Sequence, residues 1–199
     1  MSTTVDYYIA PQSPWTYLGH QRFVQMAKAS GANVRLMPMD LGKVFPLSGG
    51  LPLGKRAPQR QAYRLVELTR FSKALGIPLN LHPQFFPVAG DPAAKLIIAV
   101  DMHQGTDAAL TMAGAVFAAV WQQNRDIADA NTLAALLSEH QLDAACLALS
   151  NTPEVQARYE SNTQSAIDTQ VFGAPSYVID GELFWGQDRL EFVAQKLKA

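Results

Sequence analysis

Cysteine is almost missing from this sequence: Cys146 is the one thiol in 199 residues. A single thiol excludes an intramolecular disulfide framework and any Cys-x-x-Cys redox motif. Long apolar runs are missing as well. No stretch approaches the roughly 20 apolar residues that a membrane-crossing helix needs. Residues 1–6 lead straight into a strand-like segment with no apolar signal region, and together these absences predict a cytoplasmic protein with no membrane partner. Charge of one sign is also lacking, because 16 Lys and Arg oppose 17 Asp and Glu for a formal net charge of −1. Such a balance attracts neither nucleic acid nor an anionic membrane surface, and no basic run with interleaved aromatics points to a nucleic-acid partner. The four histidines, His20, His82, His103 and His140, show no metal-ligand spacing, so no metal is expected. Internal repeats and low-complexity tracts are absent too.

What is present is a globular composition, 48% hydrophobic, in a chain long enough to bury a sizeable core. Thr4-Val5-Asp6-Tyr7-Tyr8-Ile9 is β-branched and aromatic and stops before Pro11, which predicts a strand. Ser13 and Pro14 then open a helix with Trp15, Leu18, Phe23, Met26 and Ala27 on one face and Gly31 as its stop. Val34-Arg35-Leu36-Met37 alternates as a second strand. At the other end, Thr152-Pro153-Glu154 begins a helix running to about Thr169. Ser176-Tyr177-Val178-Ile179 and Glu182-Leu183-Phe184-Trp185 flank Asp180-Gly181, a two-residue hairpin signal. A last helix carries Leu190, Val193 and Leu197 on one stripe. Strand–helix–strand followed by helix–strand–strand–helix is the element order of the thioredoxin fold.

Between these ends little strand pattern remains. Helices are predicted from near Pro58, after Asp91-Pro92, after Thr106 and after Asn131, with stops at Gly76 and Gly105. The glycine- and proline-rich residues 41–57 are expected to form a loop, and Pro83, Pro87, Gly90 and Pro92 to mark another. The expected architecture is therefore α/β: a thioredoxin-like domain over residues 1–40 and 151–199, with an all-helical insertion over residues 41–150.

Three segments can carry chemistry. In Ser13-Pro14-Trp15-Thr16 the first strand meets the first helix, where thioredoxin-like oxidoreductases place Cys-x-x-Cys. Ser13 and Thr16 fill those two positions, so dithiol chemistry is impossible there. The free N–H groups and dipole of a helix start would still stabilise a thiolate brought by a ligand, with Ser13 as hydrogen-bond donor. The alternative is that Ser13 is only an N-cap, as most serines before a helix are. Pro175 opens a strand, where proline cannot join the ladder. A cis bond after Ala174 is one solution, and it would leave the Ala174 backbone able to pair with a cysteinyl peptide such as glutathione; a trans proline at an edge strand is the other. Amide groups at Gly186-Gln187-Asp188 can hold a γ-glutamyl carboxylate and Asp188 its ammonium, or Asp188 can simply complement the helix dipole. Lys55, Arg56, Arg60 and Arg64 either clamp a carboxylate or form a solvated face. Cys146, between alanines and leucines, is expected to be a buried structural thiol.

Over nearly its whole length the chain resembles the 2-hydroxychromene-2-carboxylate isomerase family, which groups with kappa-class glutathione transferases. The resemblance rests on Tyr8 to Leu18, on Arg60 to Tyr63 and on Phe85-Phe86-Pro87. It is most specific from Val171-Phe172-Gly173-Ala174-Pro175 through Asp180-Gly181-Glu182 to Phe184-Trp185-Gly186-Gln187-Asp188-Arg189-Leu190. It implies a homodimer that binds glutathione and isomerises a small aromatic acid by reversible thiol addition. Ser13 would be the catalytic residue, at the glutathione sulfur. Ala174 and Pro175 would pair with its backbone, Gln187 and Asp188 with its γ-glutamyl end, and Arg60 with its glycyl carboxylate. Relatives usually carry lysine where Arg60 stands, and many continue Phe85-Phe86-Pro87 with an asparagine where this chain has Val88-Ala89-Gly90. Two other activities fit the same pattern: a transferase that consumes glutathione by conjugation, and a redox-dead module that holds glutathione or peptides without turnover.

Overall fold

The computed structural model describes residues 3–198. Met1, Ser2 and Ala199, the tips of the two predicted terminal segments, lie outside the described residues. Strand β1 (Thr4–Ile9) feeds helix α1 (Pro14–Ser30) and then β2 (Asn33–Pro38), which lies parallel to β1 with Tyr7 opposite Leu36. Helix α1 starts and stops where its local chemistry dictates. The Ser13 side chain caps the Thr16 N–H, Pro14 takes the first turn, and Gly31 at φ 67° returns its N–H to the Ala27 and Lys28 carbonyls.

Seven helices follow: α2 (Leu41–Ser48), α3 (Pro58–Leu75), α4 (Asp91–Gln104), α5 (Thr106–Trp121), α6 (Ala130–Glu139), α7 (Ala145–Leu149) and α8 (Pro153–Asp168). The chain then closes with β3 (Ser176–Ile179), β4 (Glu182–Trp185) and α9 (Leu190–Lys196), the last preceded by a 3-10 turn at Gln187–Arg189. Strand order is β2-β1-β3-β4, with β3 antiparallel to both neighbours. Asp180 at φ 51° and Gly181 at φ 79° make the predicted tight hairpin. Among the described residues no helix is long and apolar enough to cross a membrane.

One expectation fails. Residues 41–57 are not a loop: they hold α2 and a 3-10 turn at Leu53–Lys55. Pro46 sits inside α2 and cannot donate a bond back to Gly42, which normally argues against helix. Two local facts outweigh it. The Asp40 carboxylate caps the Gly42 N–H at 2.7 Å, and Val44 is buried in a cluster with Met39, Ala166 and Val171. Burial of one face overrides the propensity of a short segment.

The alternation of β1 divides the interior. Tyr8 joins that smaller cluster, whereas Val5, Tyr7 and Ile9 enter a core continuous with Leu18 and Phe23 of α1, Ile97 of α4, and Phe117 and Trp121 of α5. Helices α4 and α5 are apolar nearly all round because they are surrounded on most sides. Tyr7 and Tyr177 stack at 5.2 Å with Phe23 against both. His20, 4% exposed, contacts the Leu110 carbonyl with Nε2 at 2.9 Å and the Tyr7 hydroxyl with Nδ1 at 3.2 Å. A carbonyl only accepts, so Nε2 carries the proton and Nδ1 accepts from Tyr7.

Burial lowers the His20 pKa to about 4, against the opposing pull of the Leu110 carbonyl. An unfolded histidine protonates near 6.5. Between those values the unfolded chain binds the extra proton, so stability present above about pH 6.5 drains away as pH falls toward 4, by up to about 3 kcal/mol. Urea unfolding at pH 7, 5 and 4 is expected to show this slope in the native chain and a shallower one in His20→Gln. Identical slopes would remove His20 as the cause.

Candidate functional site

The turn after β1 presents Ser13, whose N–H donates to the Ala10 carbonyl at 2.9 Å. Its hydroxyl accepts from the Thr16 N–H at 3.1 Å and donates to the Ala174 carbonyl at 3.2 Å. That second bond joins the helix start to a segment 161 residues away. The Ala174–Pro175 peptide is cis. Among the described residues the Ala174 N–H has no protein acceptor. The Pro175 carbonyl accepts from the Gly186 N–H at 2.9 Å, which draws the third predicted segment alongside. Ser13, Ala174, Pro175 and the Gly186–Gln187–Asp188 turn thus meet at one end of the sheet.

Close approach holds them there. A Cβ added to Gly19 would lie 2.8 Å from the Gln187 Cβ, so α1 rests directly on the turn. At Gly173 a Cβ would lie 2.5 Å from the Trp185 indole nitrogen. Gly186 adopts φ 105°, a conformation that favours glycine. Gln187 is 2% exposed, and Arg22 of α1 donates to its side-chain oxygen at 2.9 Å and to its carbonyl at 3.2 Å. Asp188 is exposed and pairs with Arg189 at 2.8 Å. Arg60, by contrast, is exposed on α3, and no hydrogen bond or ion pair among the described residues ties its side chain to the residues of those three segments.

Several polar atoms here lack partners. The Thr16 hydroxyl, the Gln187 Nε2 and the Gln12 Oε1 are buried without hydrogen bonds. Buried polar groups are nearly always satisfied, and Gln12 and Thr16 lie one and three residues from Ser13, so their orphaned oxygens fit a polar ligand there. The residues therefore suit a cysteinyl peptide: a helix start for its sulfur, a strand-like N–H at Ala174, and an acid at Asp188. Two cavities open elsewhere, one of about 310 Å³ beside Val44, Leu47 and Phe172, and one of about 710 Å³ beside Tyr17, Lys28, Asp107 and His140. Neither is lined by Ser13. Cys146 is buried, and burial raises its thiol pKa, as suits an inert thiol.

Sequence reasoning missed Arg22 as the clamp on Gln187, and the second cis bond at Phe86–Pro87. A glycine inside a helix, Gly19, was the available signal of close packing on that face of α1. Arg22→Met removes two bonds from a cation to a buried turn, and is expected to lower unfolding free energy by about 1.5–3 kcal/mol in urea titrations. A loss below about 0.5 kcal/mol, the scale of an ordinary surface change, would show that the clamp is idle.

Comparison with known proteins agrees with this architecture. A family model of the DSBA-like thioredoxin domain matches residues 4–198. The 2-hydroxychromene-2-carboxylate isomerase of Pseudomonas putida is 33% identical over 192 residues, covering 94% of this chain and 90% of that protein. Glutathione S-transferase kappa 1 of Homo sapiens is 24% identical over 206 residues, covering 98% and 90%. A solved 2-hydroxychromene-2-carboxylate isomerase structure superposes with a TM-score of 0.80 at 25% identity, over 98% of this chain and 94% of that one. The chain belongs to the DSBA-like thioredoxin family and, within it, to the family of the 2-hydroxychromene-2-carboxylate isomerases.

Proposed function

We propose that this chain is a glutathione-dependent isomerase that interconverts 2-hydroxychromene-2-carboxylate and trans-o-hydroxybenzylidenepyruvate in aromatic hydrocarbon catabolism. The observation that carries the reading is Ser13 at the start of α1, in contact with the residue before cis-Pro175, in a chain whose one cysteine is buried far along the sequence. Disulfide chemistry has no dithiol to use; a thiol brought from outside has a place to sit.

Glutathione, when bound, supplies a thiolate that adds reversibly to the unsaturated carbon of the ring-opened substrate and departs unchanged, so that a stiff double bond is briefly a single bond able to rotate. The protein's share is to keep sulfur anionic and aimed. The Ser13 hydroxyl, now turned to the Ala174 carbonyl, would rotate to donate to the sulfur. The first N–H groups of α1 and its dipole would add to that field. The Ala174 N–H would pair with the cysteinyl backbone, as in strand addition. Gln187, Asp188 and Arg60 would take the γ-glutamyl and glycyl ends. The same reading includes a homodimer and a cytoplasmic setting.

The likeness to the human kappa-class protein favours a second reading, in which glutathione is conjugated to an electrophile and consumed. Mass spectrometry of the product separates the two, because only conjugation leaves sulfur on it.

Loss of a donor to a charged group costs about 1.5–3 kcal/mol, or roughly one to two powers of ten in rate. The cap that Ser13 also provides is worth only ~1 kcal/mol of stability. Following chromene carboxylate absorbance with catalytic glutathione should therefore show turnover in the native chain, none without glutathione, and a 10- to 100-fold (roughly, on the same estimate) lower rate in folded Ser13→Ala. Undiminished turnover in that variant would refute the role given to Ser13.

A further inference from the structure

A second set of groups stands outside the Ser13 region. Lys55, Arg56, Arg60 and Arg64 run from the 3-10 turn into the first two turns of α3, and no ion pair among the described residues includes any of them. Arg64 differs from the other three in its surroundings. Its guanidinium carbon lies 5.3 Å from the centre of the Phe86 ring and 5.6 Å from that of Trp121. Those rings pack on one another at 4.9 Å, and Trp121 is fully buried. This is not the solvated face that a run of basic residues normally forms.

Burial, and after it repulsion from Arg56, lowers the Arg64 pKa to about 10, so the group stays charged at neutral pH with no anion beside it. Arg56 in turn feels Arg60. Arg56 spends Nε on the Leu51 carbonyl at 2.8 Å, which leaves its terminal nitrogens for another acceptor. A partly desolvated guanidinium without a carboxylate is unfavourable, and a planar anion that it can grip in two places relieves it.

A short run of chain links this stack to the turn that carries Ser13. Phe86 opens the short run that ends at Gly90, and Gly90 lies so close to Gln12 that a Cβ there would collide with the Gln12 side-chain oxygen. Gln12 is the residue before Ser13. Four residues of chain span at most about 14 Å, so the Phe86 backbone stands within that reach of the Gly90–Gln12 contact.

We propose that Arg64, with Arg56 beside it, seats the carboxylate of the aromatic-acid substrate, while Phe86 and Trp121 hold the guanidinium in place. The assignment rests on the isomerase reading and adds to it a residue that sets substrate class: acids are taken, and their neutral analogues are discriminated against. The glycyl carboxylate of glutathione is left to the exposed Arg60.

Calorimetry with cinnamate and its uncharged amide, both without glutathione, tests the seat apart from turnover. The native chain is expected to bind cinnamate about tenfold or more tightly than cinnamamide. Arg64→Met, which keeps an apolar stem against the rings, should lose that preference while glutathione affinity stays unchanged. Arg64→Lys, which keeps charge but not the fork, should fall between. Equal binding of acid and amide by the native chain would overturn the proposal even if neither variant folds. So would an Arg64→Met protein that keeps the preference, or one that weakens glutathione and spares cinnamate. A retained acid preference with no glutathione-dependent turnover would uphold the seat and overturn the isomerase reading.

Discussion

The Ser13 hydroxyl, placed between the Thr16 N–H and the Ala174 carbonyl, is the contact on which the rest of the site depends. It satisfies an orphan donor at the start of α1 and in the same stroke fixes that start against the segment before β3. A helix N-terminus presents partial positive charge whether or not a ligand is there. On the proposed reading, setting it opposite the Ala174 N–H, which has no protein acceptor among the described residues, would turn a generic anion preference into a place for a sulfur that carries a peptide. In dithiol relatives of this fold the protein's own cysteine takes that field; here a serine cannot ionise near neutral pH and can only donate.

Packing keeps that arrangement stiff. Gly19 lets α1 settle on Gln187, Arg22 ties down the buried Gln187, and the Pro175 carbonyl holds Gly186. Behind α1, the tyrosine–phenylalanine stack and the neutral His20 link the sheet to α5. The helical segment therefore does more than cover the sheet: its helices α4 and α5 share one core with β1 and α1, and Phe86 and Trp121 form the surface on which the half-buried Arg64 rests.

Most of the frame could be read from the sequence because its signals are local. Pro14 and Gly31 bound α1, Thr152 and Pro153 open α8, and Asp180-Gly181 turns the hairpin. The Ser13 and Ala174 segments were likewise visible as breaks in local rules, a serine where a cysteine is expected and a proline at a strand start, and Gly186–Asp188 as free amides with an acid ahead of the last helix. What depended on distant partners was not visible. Residues 41–57 carry loop chemistry, yet α2 forms because Val44 finds a buried neighbour beside Val171. Arg22 gave no sign of its partner 165 residues away. Arg64 read first as part of a solvated face and second as an anion clamp, since solvation is a property of what packs around a side chain and no spacing encodes it.

The central claim is electrostatic: the start of α1, completed by Ser13, stabilises a sulfur anion that the chain does not own. Titrating the ultraviolet thiolate absorbance of glutathione on the protein tests it most directly. A free cysteine thiol ionises near 8.5, and thiols at helix starts fall to about 7.5 or below. The bound thiol is expected in that lower range, moving back up in Ser13→Ala. A bound thiol that titrates like free glutathione would contradict the account.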